Sequence, residues 1–570
     1  MFVKTTRVRR GNRSYEYLSL VEAQRSGGKV GHRTLLRLGE VSELRSSGQL
    51  DRVISALRAH LEPEPGATVE VGSLEAASAR ASGGIAACDA IWRAVGLDAW
   101  FSTQGRSRRA TRLADAVFAI VANRLIAPCS KRRLPEWCAE DVTMPSGWVA
   151  PSSDQYYRGL DAIAESKAAT ETFLYSSLTT LVNLDLRLVC YDITSTYFEG
   201  DPRPSDRFPS KAFGYSRDKR SDRPQIVIGL LVTGDGIPIA HHVFAGNTAD
   251  VSTLPGVLDD LRERFGVGRI CVVADRGFVS AGNIAALDAA GFDHVLATRL
   301  HRDALCEQAL VASRASDVEW VPVPDAHSAA AEVTIDGTRC VVVASLERHR
   351  RDQHRTAELV AKTETELLAL EDRVREGRLQ DAGKIGRAAQ RIVGGSGIGR
   401  LFDLEIGEGR FVYHYNETAH TYEEILAGRY VLHTSLTPHQ ASTAEVVRHY
   451  RGLLEVEARF RVLKDFLHLR PVRHWTENRV RGHVAACVYA SVIEALINQR
   501  LAAAGIEDPD LPGQPLTAAR ALRELDRIRT VVLDAEGRSV TLVTRRTAFQ
   551  TRILDALDVD THDWDRATIN

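Results

Sequence analysis

Two short apolar runs in the 570-residue chain lead into aspartates: Leu188-Val189-Cys190-Tyr191 into Asp192, and Ile270-Cys271-Val272-Val273-Ala274 into Asp275. Far downstream, HYRGLLEVEARFRVLK carries Tyr450, Glu457 and Lys464 at intervals of seven residues. Seven residues is close to two turns of α-helix, so the three side chains are predicted to share one face. Carboxylates delivered by separate elements are hard oxygen ligands, which suit Mg²⁺ or Mn²⁺ better than zinc. Three of them can hold two Mg²⁺ ions for phosphoryl transfer. An aspartate after an apolar run also serves as a turn former or helix cap, the commoner role for either one alone. The pair together with Glu457 is much harder to obtain by chance.

Those side chains need elements to position them. Segments 186–193, 225–233, 237–244, 270–274 and 294–299 read as strands, with helices over 252–265 and 280–290. Gly234-Asp235-Gly236 supplies a hairpin turn between the second and third strands. The order β-β-β-α-β-α-β predicts an α/β fold with a mixed sheet flanked by helices. The glutamate lies on one long predicted helix, 442–466, after a strand at 429–434, and a further helix covers 483–501. Residues 301–429 interrupt the pattern with strands at 332–335, 339–344, 401–405 and 409–415 and a charged helical run at 356–378. Leu359, Leu367, Leu370 and Val374 give that run a packing face, with dimerisation as its alternative use.

Upstream, strands at 2–9, 15–21 and 30–38 and a closing helix make a small β-rich module. EPEPGAT, 62–68, reads as a linker because of its prolines and glycine. From 74 to 183 apolar residues recur at helical spacing, clearest over 88–95, 110–125 and 155–182. The last stretch reads as a small α/β tail with helices at 518–525 and 548–557.

Composition bounds the class. With 44% hydrophobic and 26% charged residues the chain has material for several cores, and its net charge of −1 leaves any DNA-binding face to local arginine clusters. Such clusters occur at 106–112, 131–133, 207–223, 448–464 and 470–481. Flanking the carboxylate segments, they point to phosphate contacts; an isolated charge run is more often a solvated face. The eight cysteines form no CxxC pair, which excludes the usual zinc and thioredoxin-like motifs. No apolar leader opens the chain and no membrane-length apolar run interrupts it, so the expected compartment is the cytoplasm.

The chain resembles bacterial insertion-sequence transposases of the DDE class, in the subgroup marked by Tyr-(2)-Arg-(3)-Glu-(6)-Lys. YDITSTYFEG around Asp192, VVADRGF around Asp275 and HYRGLLEVEARFRVLK around Glu457 carry the resemblance, supported by GYSRDKRSDRPQ, GNTAD and RPVRHWTENRVRGHV. The likeness is strong over 187–300 and 428–495 and looser before it. It implies a ribonuclease-H-like sheet split by an α+β insertion, with domains at 1–65 (β-rich), 66–184 (helical, a possible DNA-binding region), 185–300 with 430–502 (catalytic), 301–429 (insertion) and 503–570 (tail).

It implies further that Asp192, Asp275 and Glu457 bind two Mg²⁺ ions, with Mn²⁺ as substitute. Tyr450 and Lys464 match the signature residues that contact DNA phosphates. The signature arginine falls on Leu453, leaving Arg461, four residues after Glu457, or Arg451 to substitute. The implied partners are the element's terminal inverted repeats and target DNA, bound by a homodimer in the nucleoid. A metal-dependent nuclease without strand transfer and an inactive DNA-binding descendant are the alternatives.

Overall fold

The structure, a computed structural model, describes residues 2–10, 13–26, 29–46, 75–103, 108–182, 184, 187–200, 208–266, 270–298, 303–323, 327–396, 398–535, 538–565 and 568–569. The expected linker 62–68 and the later part of the first module's helix lie outside these residues. The chain divides into two units, Met1–Glu75 with Asp534–Gly537, and Ala76–Leu533 with Arg538–Asn570.

In the first unit, β1 (Phe2–Arg10), β2 (Arg13–Ser26) and β3 (Lys29–Glu40) form an antiparallel meander. A short helix, Val41–Ser46, follows and buries Leu44; Val21 is buried on β2. The three expected strands are present.

The second unit opens on β4 (Glu75–Ala81), where helix was expected. EAASARA has helix-forming residues, but β4 is the edge of a four-stranded sheet whose other members lie near the end of the chain: β16 (Arg529–Ala535), β17 (Arg538–Val543) and β18 (Thr568–Ile569). Tertiary pairing overrides local propensity there. Helices Gly83–Ala94, Leu97–Thr103, Arg108–Ile126, Ser153–Glu165 and Lys167–Val182 follow. The run expected as one helix over 155–182 is therefore two. Glu477–Ala503 packs against Ser153–Glu165 and Arg108–Ile126. It is long and apolar enough to cross a membrane, yet almost all of its apolar stretch is buried inside the fold.

The central sheet has nine strands: β5 (Leu188–Tyr197), β6 (Gln225–Thr233), β7 (Pro238–Ala245), β8 (Cys271–Ala274), β9 (Asp293–Ala297), β10 (Trp320–Pro322), β11 (Ser328–Ile335), β12 (Thr338–Ser345) and β15 (Arg429–Thr434), with β13 (Phe402–Gly407) and β14 (Arg410–Tyr415) forming a separate hairpin. Their spatial order is β10-β11-β12-β15-β9-β8-β5-β6-β7. β5 is parallel to β8 and β8 to β9, whereas β6 and β7 are antiparallel. The five expected strands lie side by side at one end. Beyond them β15 joins β9 antiparallel and β12 joins β15, so part of the 301–429 interruption continues the same sheet. The distal part, helices Leu346–Arg375 and Ala382–Ser396 with the β13–β14 hairpin, has its own core around Leu367, Leu370, Ile385, Leu401 and Phe411.

Every residue of β6 is buried, and β5 and β8 are buried almost throughout, as expected for strands covered on both faces. The eight cysteines are free thiols, and Cys190 and Cys271 are buried as small apolar fillers.

Candidate active site

The parallel register of β5 and β8 ends at Tyr191 opposite Ala274. The next residue on each strand is an aspartate, so Asp192 and Asp275 stand abreast on neighbours about 4.8 Å apart. β5 does not stop at Asp192 as the apolar run implied. It continues to Tyr197 because Asp192–Tyr197 pairs with β6. Asp192 thus sits mid-strand, level with the point where β8 gives way to a short turn, Arg276–Phe278. Asp275 caps that turn, its Oδ1 accepting the Arg276 N–H at 2.6 Å. Phe278 is buried beneath, its ring 5.1 Å from that of Tyr191.

Glu457 is exposed on the helix Leu453–Arg461, which packs across β5 and β6. Burial, with the negative charges of Asp275 and Glu457, pushes the Asp192 carboxyl up to about 7, against the pull of its own backbone hydrogen bond and of Arg217. Three acids close enough to disturb one another form a site that favours a cation. Among the described residues, however, no group of three or more His, Cys, Asp or Glu is placed to hold a metal ion. The carboxylates fit a divalent ion by donor type and charge; ligation of a common ion requires them to close further.

The glutamate segment is not one helix. Thr443–Arg451, opened by a Ser442/Glu445 capping box, ends at Gly452; Leu453–Arg461 then runs into a wider turn, Val462–Phe466. A Cβ on Gly452 would lie 2.8 Å from the Cys190 sulfur and 2.9 Å from the His449 carbonyl oxygen, so glycine is what lets the chain cross β5 this closely. Gly452→Ala is expected to cost about 1–3 kcal/mol by overpacking and to lower DNA cleavage by shifting Glu457 against Asp192. Denaturant unfolding and a cleavage assay check this; unchanged stability counts against the tight crossing.

The break at Gly452 and the wider turn at Val462–Phe466 take Tyr450, Glu457 and Lys464 off the register of one unbroken helix. Tyr450 is half-buried near Asp275, its ring 5.6 Å from Tyr430, and burial raises its hydroxyl pKa, as does the Asp275 charge. Lys464 instead turns to Asp218, its Nζ 2.8 Å from Oδ1, which also accepts from Arg470 at 2.5 Å. Arg461 is exposed and Arg451 half-buried. Leu453 is buried, so the signature arginine's position faces apolar core in this chain.

Beside Asp192 the fold pairs two groups drawn from separate motifs of the sequence. Arg217 donates to Asp250 at 2.7 Å, and its backbone N–H donates to Ser195 Oγ at 3.0 Å. Arg217 lies in GYSRDKRSDRPQ and Asp250 in GNTAD, and neither motif shows by itself that the two side chains meet. A groove of about 420 Å³ runs past Tyr215, Arg217, Asn247, Asp250 and Gly277. Of the polar cluster before β6, Arg220 pairs with Asp222, while Gln225 donates to the carbonyls of Tyr215 and Gly246.

A DDE transposase domain matches residues 184–493, more than half of the 570-residue chain. The chain belongs to the DDE transposase family. Residues 2–68 match the N-terminal domain of IS1634-family transposases. Among solved structures, the synaptic complex of piggyBac transposase with hairpin DNA is similar at 10% identity and a TM-score of 0.35, over 78% of this chain and 79% of that chain. No curated protein matches. As a DDE transposase, the protein is an enzyme of DNA transposition that acts on DNA, and domains of this family generally depend on a divalent metal.

Proposed function

We propose that this transposase cuts and joins DNA strands at the ends of an insertion sequence, with Asp192, Asp275 and Glu457 as its metal ligands. The observation that carries the reading is the juxtaposition of Asp192 and Asp275 on adjacent parallel strands, with Glu457 within electrostatic reach. The order β7-β6-β5-β8-β9, with its two antiparallel and two parallel pairings, supports a ribonuclease-H-like core. The domain division is 1–65, 66–184, 185–300 with 430–502, 301–429 and 503–570, with a homodimer engaging paired ends in the nucleoid.

Two Mg²⁺ ions, or Mn²⁺ in their place, would supply activation of a water or 3′-hydroxyl nucleophile and charge stabilisation at the leaving 3′-oxygen. Asp192 and Asp275 fix the acceptor oxygens from rigid strands, and Glu457 closes the set from its helix. Arg217 offsets part of the Asp192 charge. Tyr450, its phenol kept protonated, donates a hydrogen bond to a phosphate near Asp275. Arg461 and Arg451 supply cationic contacts. Lys464, already neutralised by Asp218, contributes less charge to DNA and more to holding the wide turn.

Incubating the enzyme with Mg²⁺ and a duplex bearing the element's inverted repeats tests the reading. Both nicked and joined products are expected. Nicks without joining favour a nuclease, and binding without cutting an inactive descendant. Because the Asp192 proton competes with the metal near pH 7, apparent Mg²⁺ affinity should fall about tenfold per pH unit below that point. Calorimetric titrations at pH 6, 7 and 8 check this; a flat profile removes Asp192 from the ligand set.

A further inference from the structure

Away from the carboxylates, the structure buries bases without an acid. Lys131, in the loop after helix Arg108–Ile126, is 4% exposed, as is Arg124 on the last turn of that helix. His483, on the core helix Glu477–Ala503, is 5% exposed. Its ring lies 5.3 Å from that of half-buried His474.

The polar partners within reach are few and neutral. Arg124 donates to Asn123 Oδ1 and to the Cys129 carbonyl, and its Nε has no partner. His483 Nε2 lies 3.2 Å from the Leu469 carbonyl oxygen, so that nitrogen carries a hydrogen and Nδ1 is left buried without a partner. The charged and titratable groups acting on Lys131 are Arg124, Cys129 and Cys487; those acting on His474 are Lys131, Arg124 and Arg479. No carboxylate is among them. Burial and mutual repulsion push the Lys131 ammonium down to about 7 and the His474 imidazole down to about 3. Cys129 and Cys487 do not turn the cluster into a metal centre, because a metal ion would meet the same two cations.

Arg124 keeps its charge however deeply it is buried, so an anion arriving from outside would pair it and favour the charged form of Lys131 beside it. The neighbouring surface is suited to DNA. Arg132, Arg133 and Arg473 are exposed beside Lys131 and His474 in the chain, the second paired with Glu136 and Asp141 and the third with Glu199, and Trp475 is 76% exposed. We propose that Arg124, Lys131, His474 and His483 form a phosphate-binding subsite for the backbone of bound DNA, separate from the three-carboxylate site. The inference rests on the transposase reading only in naming DNA as the source of the phosphate.

The test uses the full chain with Lys131→Met and Lys131→Arg. DNA affinity is measured by fluorescence anisotropy across a salt series, and melting is followed in chloride buffer with and without inorganic phosphate. Lys131→Met is expected to lower the slope of log affinity against log salt by about one, and Lys131→Arg to keep it. Lys131→Met is also expected to melt higher than the parent without phosphate, since a buried amine with no acid beside it is gone. Phosphate should raise the melting temperature of the parent and not of Lys131→Met. An unchanged slope, or a lower melting temperature in Lys131→Met, overturns the subsite. A phosphate effect with an unchanged slope also overturns it, by making the occupant a free anion. Mg²⁺-dependent cleavage by the parent is scored separately: loss of slope in a parent that never cuts keeps the subsite and rejects the strand-cleavage reading.

Discussion

Asp192→Asn should abolish Mg²⁺-dependent cleavage of element ends while leaving DNA binding intact and making the protein more heat-stable at pH 8. The chemical loss is expected to reach about a thousandfold or more, since metal stabilisation of the transition state is worth several kcal/mol. The stability gain follows from linkage. In the unfolded chain the aspartate ionises near its ordinary value of about 4, whereas the folded carboxyl keeps its proton to about 7. The folded state therefore binds the extra proton between those values, and stability falls as pH rises through that window. Asparagine removes the penalty, and a rise of roughly 2–4 °C in melting temperature is expected at pH 8. Near-normal cutting by Asp192→Asn would remove this residue from the reaction. Asp275→Asn and Glu457→Gln should match it in lost cleavage.

Glu171→Ala should destabilise the second unit by about 3–5 kcal/mol, the typical loss when one member of a buried ion pair is removed. Glu171 is 2% exposed on helix Lys167–Val182, with Arg264 at 2.5 Å, His241 at 2.7 Å and Lys167 at 3.1 Å. Its Oε1 also accepts the His241 backbone N–H at 3.0 Å. One carboxylate thus clips the helical layer to β7 and to the end of helix Leu254–Glu263. Burial alone would raise its pKa, but His241, Lys167 and Arg264 hold it well below the usual carboxylate range. Its stabilisation is therefore present above the ordinary glutamate value and is lost as pH falls through the folded one. Denaturant unfolding of Glu171→Ala and Glu171→Gln at pH 7 checks the effect; a loss under about 1 kcal/mol would show that the cations are solvated without it.

The five-strand end of the central sheet was legible because its strands are apolar runs whose partners lie nearby, and their order follows from short connections. The two aspartates were legible for the same reason: each ends a run that can only be a buried strand. What escaped depended on contacts distant in sequence. Gly452 sits in a segment with unbroken helical periodicity, and only the Cys190 sulfur on the facing strand explains why a glycine is needed there. Lys464 reads as a free cation until Asp218, 246 residues earlier, is brought beside it. Leu453 departs from the family signature because its position packs into the core. The segments around Lys131 and His474 were legible as arginine clusters pointing to phosphate contacts, but only folding shows that Lys131 itself is buried without an acid acting on it.

The pairing of β4 with β16 has a temporal consequence for synthesis. Ala79, whose carbonyl oxygen accepts from Arg529, precedes it by 450 residues. At elongation rates of about 5–20 residues per second, β4 leaves the ribosome about 20–90 s before its partner strand exists. β4 therefore stays an unpaired edge through most of translation, and the small sheet closes only once β16 has emerged.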